Sequence, residues 1–326
     1  MQDDQDQNSK ERNPSQDTPS DAVGSHPVGA GGRGDLAAFD QHRALLFSIA
    51  YRMLGSRADA EDMLQETFLR WQQARDAEIR DPRAFLVTLI TRLSINQLQS
   101  ARVKREQYFG QWLPEPLMTK AAAESPMISG IDGSLSMAFL MLLERLTPME
   151  RAVFLLREVF DYDYAEVAEM VGQSEVNCRQ ILRRAKQHVK DDRPRFDVSP
   201  EEQQTMLRQF LEATSHGDMQ GLLALLSKDV VLYTDGGGKA SAVPNPVYGA
   251  EDVARFFMVA PQKLMPKDVV RRFAEINGQP GIVVYHHSQV FGVLTMDVAE
   301  GRIRNIYIVR NPDKLALLPT LPPAPC

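Results

Sequence analysis

Cysteine is nearly absent from this chain. Cys178 and Cys326 are the only two in 326 residues, too few for a disulfide framework or a zinc site, and a reducing cytoplasm fits that usage. No apolar run approaches the roughly 18 residues needed to span a bilayer. The N-terminus has no charged-then-apolar export pattern. Neither a zinc-ligand spacing, a Ser/His/Asp order nor a Cys/His pair is evident, so no metal and no cofactor is expected. Positive charge is in deficit overall, with a formal net charge of −6, which taken alone argues against nucleic acid.

The distribution of charge reverses that argument. From Pro82 to Arg105 the basic residues are Arg83, Arg92, Arg102, Lys104 and Arg105, with no acid among them. From Ser174 to Arg195 there are seven Arg and Lys. Nucleic-acid binding depends on such local patches rather than on the total.

Six stretches can be read along the chain. Residues 1–34 are polar and poor in large apolar side chains, and cannot offset their ordering entropy; a disordered tail is expected. Residues 35–106 are helical by pattern. Met63, Leu64, Thr67, Phe68 and Trp71 share one side of a helical wheel, with Asp59, Glu61, Asp62, Gln65 and Glu66 among the polar positions. Asp81-Pro82 starts the next helix. Residues 107–133 form a linker, because its prolines disfavour a helix, yet Trp112 and Leu113 need an apolar partner. Residues 134–193 are helical again: Thr147 and Glu150 form a capping box, Gly172 ends a helix and Ser174 caps the next. Residues 199–316 turn from two helices, at 201–215 and 219–226, to strands at 230–234, 281–287, 290–298 and 303–309, an α+β pattern. Residues 317–326 are expected to be loose.

The helix after Ser174 is the strongest signal. Arg179, Arg183, Lys186 and Lys190 form a stripe opposite Cys178, Ile181, Leu182, Ala185 and Val189. A helix that packs on one face and offers positive charge on the other suits a major groove; the plainer alternative is a solvated basic face. The end of the 82–105 helix is less specific, since its charges could track phosphate and Asn96, Gln97 and Gln99 could meet bases. Asp235-Gly236-Gly237-Gly238-Lys239 fails the phosphate-loop pattern, because Ala240 follows the lysine; it reads as a turn. His286 and His287 are adjacent on an expected strand, so they point to opposite faces and cannot jointly hold a metal.

These residues resemble a known family. Residues 36–190 are similar to the extracytoplasmic-function group of sigma-70 factors. Ala58-Asp59-Ala60-Glu61-Asp62 through Phe68 resembles its region 2, and Leu146-Thr147-Pro148-Met149-Glu150-Arg151 through Val189 its region 4. Trp112-Leu113-Pro114-Glu115-Pro116, Asp235 to Lys239, and Asn311-Pro312-Asp313-Lys314-Leu315 resemble three signatures of the subgroup with a C-terminal SnoaL-like extension. The resemblance implies a multidomain fold: two all-α sigma domains followed by an α+β NTF2-like cone. It implies a sigma factor that binds core RNA polymerase and promoter DNA in the cytoplasm. Region 2 would meet the β′ clamp helices through Asp59, Glu61, Asp62, Gln65 and Glu66. It would meet the −10 element through Arg92, Asn96, Gln97, Gln99, Arg102, Lys104 and Arg105. Region 4 would meet the β flap, and the −35 element through Ser174, Asn177, Arg179, Gln180, Arg183, Arg184, Lys186 and Lys190. Regulatory contacts would fall on Trp112, Leu113 and Pro114 and on the signatures at 235–239 and 311–315. One departure is that Asn96-Gln97-Leu98-Gln99 stands where the subgroup has Asp-Arg-Leu-Arg, which removes two positive charges near the melting surface. The alternatives are a SnoaL-like isomerase or cyclase using Tyr233, Asp235, His287 and Asp297, and a plain helix-turn-helix repressor. Whether the last domain takes a small ligand is left open.

Overall fold

Apolar residues at helical spacing give the first three helices, α1 (Gly31–Leu54), α2 (Arg57–Gln73) and α3 (Pro82–Glu106). The computed structural model describes residues 31–74, 79–119, 135–189 and 198–321. The tail expected over 1–34 lies outside the described residues up to residue 30, as do 120–134 of the linker region, Lys190 and residues 322–326. Helix α1 begins at Gly31 rather than after residue 34, since extending a formed helix by a turn costs little once it is nucleated. Gly55 takes φ +67° in the tight turn to α2, and Ser56 caps α2 by accepting the Asp59 amide. Helix α2 buries Ala60, Leu64, Thr67 and Trp71.

Four further helices follow: α4 (Met137–Leu143), α5 (Pro148–Glu158), α6 (Tyr164–Val171) and α7 (Glu175–His188). Thr147 and Glu150 cap α5 reciprocally. Gly172 closes α6 in the left-handed conformation, and Ser174 caps α7, so α6 and α7 form the expected helix-turn-helix. The two helical modules are not separate bodies. One continuous core runs from Phe39, Leu46 and Leu86 in the first to Leu155, Val167 and Leu182 in the second.

The C-terminal part comprises α8 (Pro200–His216), α9 (Met219–Leu225), β1 (Leu226–Asp235), β2 (Val247–Tyr248), α10 (Ala250–Leu264), β3 (Val270–Ile276), β4 (Gln279–His286), β5 (Gln289–Ala299), β6 (Arg302–Val309) and α11 (Pro312–Leu315). Its sheet runs β2-β1-β6-β5-β4-β3. Only β1 and β6 pair in parallel. Strands β2 and β3 and helix α10 were not expected. Strand β3 is an edge whose Arg271, Arg272 and Phe273 are all exposed, so it lacks the alternation that marks a half-buried strand.

The sheet packs on both faces. One carries Leu232, Ile282, Met296 and Ile306 against Leu207, Phe210 and Phe257 of the helices. The other carries Val283, Tyr285, Val293 and Tyr307 against Leu113 of the linker and Met137 and Ala138 of α4. Helix α4 is therefore shared. Its Phe139, Leu140, Leu142 and Leu143 belong to the core of the helical modules.

The expectation for His286 and His287 fails. Strand β4 ends at His286, and His287 and Ser288 take φ +48° and +62°. Alternation holds only within a strand, and the turn brings the two rings to 3.9 Å between centroids. Their Nε2 atoms lie 3.2 and 3.9 Å from the Asp268 carboxylate. The ligand atoms of this trio, exposed but for the half-buried His286, fall within 4.8 Å of one another, so joint coordination is geometrically open.

Candidate nucleic-acid interface and the linker clamp

Cys178, Ile181, Leu182 and Ala185 of α7 are buried, while Ser174, Arg179, Gln180, Arg183 and Arg184 are exposed. The face is partly organised by its neighbours. Arg179 lies over the Tyr164 ring at 4.7 Å and pairs with Glu175 at 3.1 Å. Lys186 pairs with Glu158 at 2.8 Å. The Asn177 amide donates to the Ser174 hydroxyl, and its side chain to Gln173. These ion pairs are exposed and weak, so they orient the cations without withdrawing them.

On α2, Asp62 and Gln65 are exposed. Glu61 pairs with Arg57 and Glu66 with Arg70, each at 2.8 Å. Asp59 accepts a bond from Gln97 at 3.1 Å, which ties α2 to α3. On α3 the expected DNA set divides. Asn96 and Gln99 are exposed, and the side chains of Arg102 and Lys104 lie outside the described ones. Arg92, exposed, and Arg105, largely buried, are both engaged by other parts of the chain. Arg92 donates to the Met170 and Glu169 carbonyls at the end of α6, at 2.9 and 2.7 Å, where the helix dipole favours a cation. Arg105 pairs with Glu144, donates to the Leu54 carbonyl at 2.5 Å and lies 3.5 Å over the Trp112 ring. Arg105 thereby satisfies a carbonyl and a carboxylate that packing has largely removed from water, whereas Arg92 makes its bonds at the surface.

The linker is held from both sides. Asp235, fully buried, accepts the Tyr108 hydroxyl at 2.6 Å, the Leu113 amide at 2.9 Å, the Gly237 amide at 3.0 Å and Lys314 Nζ at 2.7 Å. Lys314 also donates to the Leu113 carbonyl and sits 4.2 Å over Trp112. Burial lowers the Lys314 ammonium to about 8 even with Asp235 beside it. Asn311 caps α11 and donates to the Tyr108 hydroxyl at 2.7 Å, Lys239 pairs with Asp313 at 2.5 Å, and Leu315 is buried on the linker side of the sheet. Gly237 lies so close to Asn311 that a Cβ would clash with its amide.

On its other side the linker meets the first module. A Cβ on Gly55 would stand 2.7 Å from the Trp112 ring. Glu115 accepts the Arg57 amide at 2.8 Å, at the start of α2, and its own amide donates to the Gly55 carbonyl. Asn277 exchanges bonds with Leu117 and donates to Tyr51, which donates to the Glu115 carbonyl at 2.5 Å. Sequence reasoning missed Glu115, Tyr108 and Asn277. Two carried a signal: Glu115 is an acid inside an apolar signature, and Asn277-Gly278 is a hairpin-turn pair.

The candidate catalytic residues do not meet. Asp235 is in the clamp, Tyr233 stacks on Tyr307 at 5.5 Å, Asp297 accepts Asn305 at 3.1 Å, and His287 is exposed at its turn. None lines the cavity of about 160 Å³ between the sheet and α8 and α10. Among the described residues, no helix is long and apolar enough to cross a membrane.

Two helical modules, one of them a helix-turn-helix with a basic outer face, a linker and a sheet domain are the build of a multidomain DNA-binding protein. Residues 38–103 match the family described as sigma-70 region 2, and residues 136–189 match sigma-70, region 4. The chain is 33% identical over 291 residues to the ECF RNA polymerase sigma factor SigJ of Mycobacterium tuberculosis, covering 86% of this chain and 93% of that one. It is 31% identical over 281 residues to the probable ECF sigma factor SigI of the same organism, covering 86% and 94%. The crystal structure of SigJ superposes with a TM-score of 0.71 over 86% of this chain and 98% of that one, at 31% identity. The chain belongs to the extracytoplasmic-function sigma-70 family, in the subgroup whose helical sigma domains precede an α+β NTF2-like cone.

Proposed function

We propose that this protein binds core RNA polymerase in the cytoplasm and directs it to promoters, with its C-terminal domain acting in cis on the two DNA-reading modules. The observation that carries the reading is the sharing of α4. That helix belongs at once to the core of the helical modules and to the sheet. Elements named for −10 and −35 lie roughly 80 Å apart along B-form DNA at 3.4 Å per base pair. Helix α3 is about 38 Å long at 1.5 Å per residue, and it touches α6. The modules must part to reach both elements, and the linker clamp opposes that. The domain boundaries implied are 35–106 and 134–193 for the modules and 199–316 for the regulator. The regulator is read as non-catalytic, because the Asp and His candidates lie away from its cavity. In-vitro transcription with core enzyme tests the whole reading; no promoter-dependent transcript from a promoter library would overturn it.

The acidic face of α2 is assigned to the β′ clamp helices. Charge reversal at Asp62 and Glu66 is expected to weaken core binding about ten-fold at low salt, with the difference shrinking as salt rises. A pull-down of core enzyme equal to wild type at low salt contradicts it. Region 4 is assigned to the β flap and the −35 element. Arg179 and Arg183 near the start of α7 reach bases, and Lys186 and Lys190 hold phosphate. Arg179→Ala is expected to cost about 1–3 kcal/mol and relax −35 preference, whereas Lys186→Ala weakens all promoters alike. Indistinguishable promoter profiles for the two variants would remove this division.

A further inference from the structure

The face of the sheet turned away from the linker closes, with α8 and α10, over the cavity of about 160 Å³. Its walls are largely apolar, with Phe210, Phe256, Ile282 and Leu294 among them. An apolar cavity of about 150 Å³ accepts a benzene ring, so size alone points to an occupant of single-ring bulk. One end has a different character. Arg310, just beyond β6, lines the cavity. Its guanidinium lies 4.1 Å over the Phe291 ring and donates to the Ser241 carbonyl at 3.2 Å, while its buried Nε has no partner. Exposed Arg271 lines the same cavity, and among the described lining residues there is no acid and no histidine. Burial pushes the Arg310 guanidinium below its ordinary value, with no carboxylate to offset it. A half-buried guanidinium with an unpartnered Nε and no counter-ion is costly, and its fork matches a carboxylate.

We propose that this cavity binds a small hydrophobic monocarboxylate, ring or short chain in the apolar end and carboxylate on Arg310, and that its occupancy is felt at the linker. Within β1, Thr234 and Asp235 point to opposite faces, and just beyond β6 Arg310 and Asn311 divide in the same way. Thr234 and Arg310 line the cavity, and the next residues, Asp235 and Asn311, hold Tyr108 and Leu113. The ends of the two strands are joined, since the Arg310 amide donates to the Asp235 carbonyl at 2.7 Å. An anion drawing on Arg310 therefore acts on the backbone that carries the clamp. The coupling rests on the cis-regulation proposed above; the binding does not.

Calorimetric titration of the full chain with phenylacetate, hexanoate and the neutral isostere phenylacetamide tests the site. The carboxylates are expected to bind at least ten-fold more tightly than the amide. Arg310→Gln should erase that preference. Ala260→Phe, which fills the cavity from α10, should abolish binding of all three with circular dichroism unchanged. Equal binding of the amide, a preference that survives Arg310→Gln, or no binding of either carboxylate to the folded chain overturns the assignment. Amide hydrogen exchange reads the coupling directly: saturating phenylacetate should change protection across 108–117 several-fold in wild type. Unchanged exchange at saturation overturns the coupling, whereas the cis-regulatory reading stands or falls separately on the Asp235 variant below.

Discussion

Asp235→Ala is expected to release the linker. The carboxylate is fully buried and gathers the Leu113 amide, the Tyr108 hydroxyl and Lys314. Removing one partner of a buried pair leaves the other charge uncompensated and costs about 3–5 kcal/mol. The cost falls on the contact between linker and sheet, because three of the four groups bonded to Asp235 belong to the linker or α11. Apparent affinity for core enzyme scales with the fraction of molecules in the competent arrangement, so a chain that opens more easily should bind core more tightly. Asp235→Asn, which keeps an acceptor but loses the charge, should fall between. Proteolysis within 106–119 should quicken in the same order. Alanine and wild-type chains cut at equal rates and binding core equally would show that the clamp holds nothing.

Much of this arrangement was legible in the sequence where the cause is local. The Thr147 capping box, the Gly172 stop and the Ser174 cap each depend on residues within four positions, and each formed as read. The signatures at 112–116, 235–239 and 311–315 were legible as motifs, but their meeting was not, since Leu113 and Asp235 are 122 residues apart. Arg105 shows the limit most sharply. In sequence it is the last of a basic cluster and reads as a phosphate contact. Its surroundings, Glu144, the Leu54 carbonyl and Trp112, come from three other segments, and only packing makes it internal. The histidine pair failed for a smaller reason: the strand ended one residue sooner than its pattern suggested, and side-chain direction in a turn no longer alternates. Strand β3 escaped because an edge exposed on its basic residues has no period to detect.

Glu144→Ala is expected to loosen the two helical modules from each other. Glu144 pairs with Arg105 of α3 and with Arg151 of α5 at 2.8 Å, and Arg151 is itself 2% exposed and donates to the Met53 carbonyl of α1 at 2.8 Å. The substitution strands two buried guanidinium groups and, like Asp235→Ala, costs about 3–5 kcal/mol. The pair also gives a pH signature. Burial pushes the Glu144 carboxyl up, but Arg151 and Arg105 outweigh it and hold it below its ordinary value. A depressed carboxylate contributes fully above its unfolded value near 4.5 and loses that contribution as pH falls through the folded one. Small-angle scattering should therefore show wild type expanding below about pH 4.5, while the variant is already expanded at neutral pH and lacks that step. Acid expansion at the same pH and amplitude in both chains would remove Glu144 from the account. Arg105 and Lys314 lie over the same Trp112 ring, which links the Glu144 and Asp235 sites through three side chains in contact. Residues connected in this way are not additive. The double variant Glu144→Ala, Asp235→Ala should accordingly lose less stability than the two single losses combined, and strict additivity in a denaturant cycle would mean that the linker and the module interface open independently.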